Sequence, residues 1–140
     1  MLDDSLNIVL SDFGLAIRMP ESGRHQGRAG TPCYYPYEMV ASQFYDFRAD
    51  LWCVGVLLVE MLFGQLPFKS AAANRDYTQS ILSLKFTLPK NKSVSNEARN
   101  LIESLLVVQD KRLTLAQVEK HPWLCKQFPN SLKLNSVDHN

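Results

Sequence analysis

Residues 50–62 read DLWCVGVLLVEML, a stretch apolar on nearly every helical face and carrying one internal charge, Glu60. A helix of that composition needs neighbours on all sides, so the stretch predicts the central helix of a mainly α domain. The apolar run from Leu51 to Phe63 is interrupted by Gly55 and Glu60 and is too short to cross a bilayer. Asp50 suits the start of the helix, where a carboxylate meets free amide donors, and Gly64 and Pro67 end it.

Outward from this helix, the pattern predicts further helices on the C-terminal side. Tyr77 to Leu84 is a short amphipathic segment, followed by an extended FTLP. Ser95 can cap a helix over Asn96–Val107 whose inner stripe is Ala98, Leu101, Ile102, Leu105 and Leu106. Thr114-Leu-Ala-Gln117 has the capping-box pattern and starts a helix towards His121, closed by Pro122 and Trp123. On the N-terminal side, Asp3-Asp4-Ser5 reads as a turn and Leu6–Leu10 as a short strand, together a small β-hairpin. Arg18 to Gly30, with Pro20, Gly23 and Gly27, is an irregular loop longer than a connector needs to be, which points to function. The organisation expected is one domain over residues 1–126 and a polar tail over residues 127–140.

The totals suit a soluble globular domain: 46% hydrophobic and 21% charged residues among 140. Fifteen basic and 14 acidic residues leave a net charge of +1, which speaks against a nucleic-acid partner, and nothing calls for a membrane. The opening MLDDS is acidic where an export signal would be basic, and Cys33, Cys53 and Cys125 are odd in number and scattered. A reducing, cytoplasmic or nuclear setting is therefore expected.

LNIVLSDFGLAIRM, Leu6 to Met19, places an acid, an aromatic and a glycine at the mouth of the strand. Alone, Asp12 is either a turn residue or a metal ligand. Eighteen residues later comes GTPCYYPYE from Gly30, then DLWCVGV from Asp50, GQLPF from Gly64 and RLTLAQVEKHPW from Arg112. In that order and at those spacings the set resembles the C-terminal lobe of a eukaryotic serine/threonine protein kinase domain, in its calmodulin-dependent and checkpoint-type branch. The resemblance covers about residues 1 to 126, and the intact parent fold is α+β.

The resemblance implies ATP and Mg2+ as cofactors and protein substrates with Ser or Thr acceptors. Asp12 would be the metal ligand, with Phe13 packed beneath it and Gly14 letting the backbone swing. Thr31 is similar to the threonine that braces the catalytic aspartate and lysine. Pro32 and Tyr34 would shape the substrate-docking surface. Glu38 and Arg112 look like the buried ion pair that ties the activation segment to the last helices, and Asp50 like the anchor of the catalytic loop. Glu60 matches an acid that in basophilic relatives accepts a substrate arginine; a solvated glutamate remains the other reading. His121 and Cys125 share a helix face without further ligands, which does not make a zinc site.

Departures from the family pattern are local and global. Ala-Pro-Glu appears as Pro36-Tyr37-Glu38, and five residues separate Leu106 from Arg112, with Gln109-Asp110 in place of the usual Asp-Pro. Ser22 is the one hydroxyl residue between Arg18 and Ala29, so no conventional activation phosphothreonine is evident. The 140 residues contain no glycine-rich phosphate loop, no Val-Ala-Ile-Lys strand and no His-Arg-Asp loop with its downstream asparagine. The expectation is a partial kinase domain, inactive alone, with a non-catalytic binding or scaffolding module as the alternative. Its partner would be an intact kinase or the missing N-lobe. An exposed apolar face is expected beside the central helix.

Overall fold

The computed structural model describes residues 1, 3–70, 76–89 and 93–127. It is mainly helical, with six α-helices among the described residues: α1 Tyr37–Val40, α2 Arg48–Phe63, α3 Thr78–Ser83, α4 Asn96–Leu105, α5 Leu115–Glu119 and α6 Pro122–Gln127. Beyond residue 127 the expected tail lies outside the described residues.

Helix α2 is the axle. Trp52, Val56, Val59 and Phe63 are buried against Phe68, Ile81, Ile102 and Leu106. The Trp52 ring lies flat on Phe68, centroids 5.3 Å apart and planes 3° from parallel. The helix begins at Arg48, two residues before the expected Asp50, with Phe47 at its N-cap and Asp46, one residue further out, accepting from the Arg48 amide through Oδ1 at 2.8 Å. Asp50 accordingly falls in the first turn, exposed, and makes no capping bond. Gly64 ends the helix at φ 71°, a left-handed conformation that glycine adopts without penalty.

Helix α4 crosses α2 at Gly55, and no side chain larger than hydrogen fits there. A Cβ at position 55 would stand 2.9 Å from both Leu105 Cβ and Leu106 Cδ2. The inner stripe of α4 is the one its sequence spacing predicts, with Ala98, Leu101, Ile102 and Leu105 buried and Ser95 Oγ accepting from the Ala98 amide at 3.2 Å. The Thr114–Gln117 capping box forms at the start of α5. Pro122 opens a further helix, α6, where the sequence suggested a stop; proline is well suited to a first helical position because that amide has no partner to lose.

His121 joins the last two helices to α4. Its Nδ1 accepts from the Trp123 amide at 3.3 Å and its Nε2 contacts Asn100 Oδ1 at 3.1 Å, so the tautomer with hydrogen on Nε2 satisfies both bonds. Burial holds its pKa below the usual value, against a weaker upward pull from Glu97. The unfolded chain therefore binds this proton more readily than the folded one, and stability is present above about pH 6.5 and lost as pH falls further. Thermal melts of the wild type and His121→Gln should show a steeper loss for the wild type between pH 7 and 5. Equal slopes would remove His121 as the cause.

The N-terminal hairpin is the point at which sequence and structure differ. No strand forms among the described residues around Leu6–Leu10; what remains is a reciprocal pair of bonds between Met1 and Val9, 2.9 and 3.0 Å, closing a turn built on Asp3. Leu6 sits at φ 64°, and Leu6, Ile8 and Leu10 are all more than three-quarters exposed. A two-stranded ribbon is marginal without a layer to cover it, and here its apolar side chains face solvent. Among the described residues no helix is long and apolar enough to cross a membrane.

Candidate functional site

Asp12 stands in the left-handed region, φ 62° and ψ 68°, before a 3-10 turn over Phe13–Leu15. The short carboxylate side chain tolerates that conformation, so the sharp bend falls on the acid itself while Gly14 keeps an ordinary backbone. Phe13, expected to pack beneath a metal, is 69% exposed on the rim of a groove. Among the described residues no three His, Cys, Asp or Glu side chains gather as metal ligands. Magnesium is held by one or two carboxylates together with substrate phosphates and waters. Asp12 supplies one such carboxylate, and the remaining donors would come from nucleotide phosphates and water.

The groove has a volume of about 730 Å3 and is bordered by Phe13, Ile17, Thr31, Tyr34, Phe47 and Asp50, among others. Thr31 is exposed at the start of a second 3-10 turn, Pro32–Tyr34, and its side chain caps nothing. Asp50 borders the same groove from α2.

Pro32 and Tyr34 share that turn, and the Tyr34 hydroxyl donates to Glu60 Oε2, reaching from the turn to the far half of α2. Burial pushes the Tyr34 phenol up to about 12, with the Glu60 hydrogen bond and charge adding to the effect. Below the same turn the Cys53 thiol lies 3.5 Å from the Tyr34 carbonyl oxygen and donates to it. Burial first, then the Asp50 charge, raises that thiol to about 11, so Cys53 packs as a neutral group and is no nucleophile at neutral pH.

Glu38, in the first turn of α1, and Arg112 are both buried and meet fork to fork at 2.7 and 2.9 Å. The three other donors of the guanidinium go to the carbonyls of Leu105 at 3.0 Å, Arg48 at 2.8 Å and Val107 at 2.8 Å. All five N–H groups are thus used, and the guanidinium carbon lies 5.1 Å from the centre of the Trp52 ring. The altered residues around the pair fit this arrangement. Pro36 starts α1 as its N-cap, and Gln109 opens the 3-10 turn Gln109–Lys111 that delivers Arg112.

Sequence reasoning missed a second network beside the pair. Asp46 and Arg48 form a bidentate bridge, Arg48 Nη1 donates to the Gln109 carbonyl at 2.9 Å, and Gln109 Oε1 accepts from the Asp46 amide at 3.1 Å. The signal available was an acid two residues before an arginine at a helix start.

The structure thus brings Pro32, Tyr34 and Glu60 together, joins Glu38 to Arg112, and sets Thr31 and Asp50 on one groove.

Comparison with known proteins gives one family. The protein kinase domain matches residues 1–124. Aurora kinase C of Mus musculus is 42% identical over 118 residues, covering 84% of this chain and 41% of that protein. The calcium/calmodulin-dependent protein kinase type II alpha chain of Drosophila melanogaster is 38% identical over 125 residues, covering 86% and 23%. The serine/threonine-protein kinase ULK3 of Xenopus laevis is 40% identical over 120 residues, covering 84% and 25%. The chain spans less than half the length of each of these relatives.

Proposed function

The chain belongs to the protein kinase domain family, and from that premise we propose that it is the activation-segment and substrate-docking half of a serine/threonine kinase domain, inactive by itself. The complete domain would move the ATP γ-phosphate, with Mg2+, to Ser or Thr of a protein substrate. The observation that carries the docking role is the bond by which Tyr34, in the same turn as Pro32, reaches Glu60 on α2. Tyr34 occupies Glu60 Oε2 and leaves Oε1 without a partner among the described residues. A substrate arginine upstream of the acceptor would pair with that oxygen.

Catalysis by these residues alone has little support. Phosphoryl transfer rests on positioning and charge neutralisation, and the 140 residues hold no phosphate loop, nucleotide lysine or catalytic base in the family's motifs. The absent catalytic base favours a second reading, a kinase-derived binding module whose partner is an intact kinase or an N-lobe, whereas the retained Asp12 favours the first. Both readings share the docking surface.

Fluorescence anisotropy of the purified chain with labelled Ser-containing peptides tests it. A peptide with an arginine upstream of the serine should bind at least tenfold tighter than its alanine counterpart, as expected for a hydrogen bond to a charged group. Glu60→Gln should abolish the difference; equal affinities in the wild type would remove the docking assignment. Titration with magnesium-ATP to millimolar concentration should give no saturable binding, and saturation would overturn the claim of inactivity.

A further inference from the structure

The segment from Arg18 to Gly30 holds Ser22 as its one hydroxyl side chain, yet it is tied down at three successive places. His25 and Tyr45 exchange both backbone hydrogen bonds at 2.8 Å, and their rings meet edge to face with centroids 5.4 Å apart. Gln26 Nε2 donates to the Ser42 carbonyl at 2.7 Å. Arg28 donates from Nε to the Met39 carbonyl at 3.3 Å and from Nη2 to the Val40 carbonyl at 2.8 Å. Those carbonyls belong to the last turn of α1, where helix geometry leaves acceptor capacity and favours a positive charge; the Met39 carbonyl also accepts from the Ser42 amide at 3.3 Å.

Two residues after Arg28, the Gly30 carbonyl accepts from the Tyr35 hydroxyl at 3.1 Å, and the Pro32–Tyr34 turn follows. Arg28, Pro32, Tyr35 and Val40 all border one cavity of about 220 Å3. The guanidinium therefore holds the end of α1 and shares a cavity with the turn. Ser22, by contrast, bonds within its own turn, to the Arg24 carbonyl at 3.3 Å, and to no other described residue through its side chain.

We propose that Arg28 is the positioning residue of the docking turn, with His25 and Gln26 as auxiliary ties, so that this segment is ordered without a phosphate on Ser22. The name of the turn rests on the function proposed above, whereas the ordering does not. Amide exchange on the full chain without peptide separates the two. Loss of peptide binding with the exchange result intact would sink the docking role alone.

The amides of His25, Tyr45, Tyr34 and Tyr35 report the ties. Arg28→Met keeps the aliphatic stem and removes the donors. It should speed exchange at these amides about tenfold, the scale of two modest hydrogen bonds, and leave α4 amides unchanged. Arg28→Lys should recover part of the protection, because one ammonium can serve a carbonyl but lacks the fork. Ser22→Ala and Ser22→Asp should match the wild type. The proposal fails if the wild-type segment is unprotected, if Arg28→Met exchanges like the wild type, or if it loosens α4 equally. It also fails if Ser22→Asp slows these four amides, since the segment would then be waiting for a negative charge.

Discussion

Arg112→Met is expected to destabilise the chain by about 3–5 kcal/mol, because removing one partner of a buried pair leaves the other charge without compensation. The loss extends past Glu38: three carbonyls, from Arg48, Leu105 and Val107, lose their donor together. Against a total stability of about 5–15 kcal/mol for a domain, that is a third or more of the margin in most cases, and the unfolding midpoint should fall steeply. Arg112→Lys should be nearly as damaging, since an ammonium has three donors and no planar fork for the carboxylate. Glu38→Gln keeps the shape and one acceptor but strands the guanidinium, and should cost less than Arg112→Met because the three carbonyl bonds survive. Replacing both by methionine should recover part of the loss, an apolar pair carrying no desolvation penalty. Urea unfolding followed by tryptophan fluorescence reads the series, with Trp52 lying directly under the guanidinium. A loss below about 1 kcal/mol for Arg112→Met would show that the pair contributes little beyond a surface bridge.

Gly55→Val should be the second large effect. Alanine in a helix normally gains up to about 1 kcal/mol over glycine, so position 55 sets a local preference against a packing constraint. The constraint wins, because a Cβ would sit 2.9 Å from Leu105 Cβ, an atom fixed to the α4 backbone. Overpacking in a filled core costs about 1–3 kcal/mol, and β-branched valine, larger than alanine, should reach the upper end. Gly55→Ala should be destabilising by a smaller margin. Leu106→Ala should relieve it in part by removing the Cδ2 contact, whereas Leu105→Ala should not, since alanine keeps the offending Cβ. Thermal melts of the double variants test this order; a Gly55→Ala chain more stable than the wild type would mean that α4 yields easily.

Local signals made most helices legible. The caps at Ser95 and Thr114 and the stripe on α4 are properties of a few neighbouring residues, and the chain folds accordingly. Helix α1 was invisible because four residues carry no period; it is held by Glu38 and by Arg28 at its end. The start of α2 lies earlier than the acid at Asp50 suggests because the N-cap is Phe47, a residue type that no capping pattern marks, with Asp46 holding the Arg48 amide from outside. In the candidate site, motif spacing singled out residues as far apart as Glu38 and Arg112, which the fold then joins. His25, Gln26, Arg28 and Arg48 escaped notice for a physical reason. Many of their partners are backbone carbonyls and amides, which every residue offers and no sequence pattern marks.

Helix α2 also leaves Val54, Leu57 and Met61 at 40%, 44% and 72% exposure, spaced so that they fall along one side. None of the three belongs to the buried core, so the cooperativity of the chain does not depend on them. They set its colloidal behaviour instead. During refolding, intramolecular closure is first order, while contact between two such stripes is second order. Recovery of soluble chain is therefore governed by dilution, and a charged side chain at position 57 or 61 changes the recovered yield without moving the unfolding midpoint.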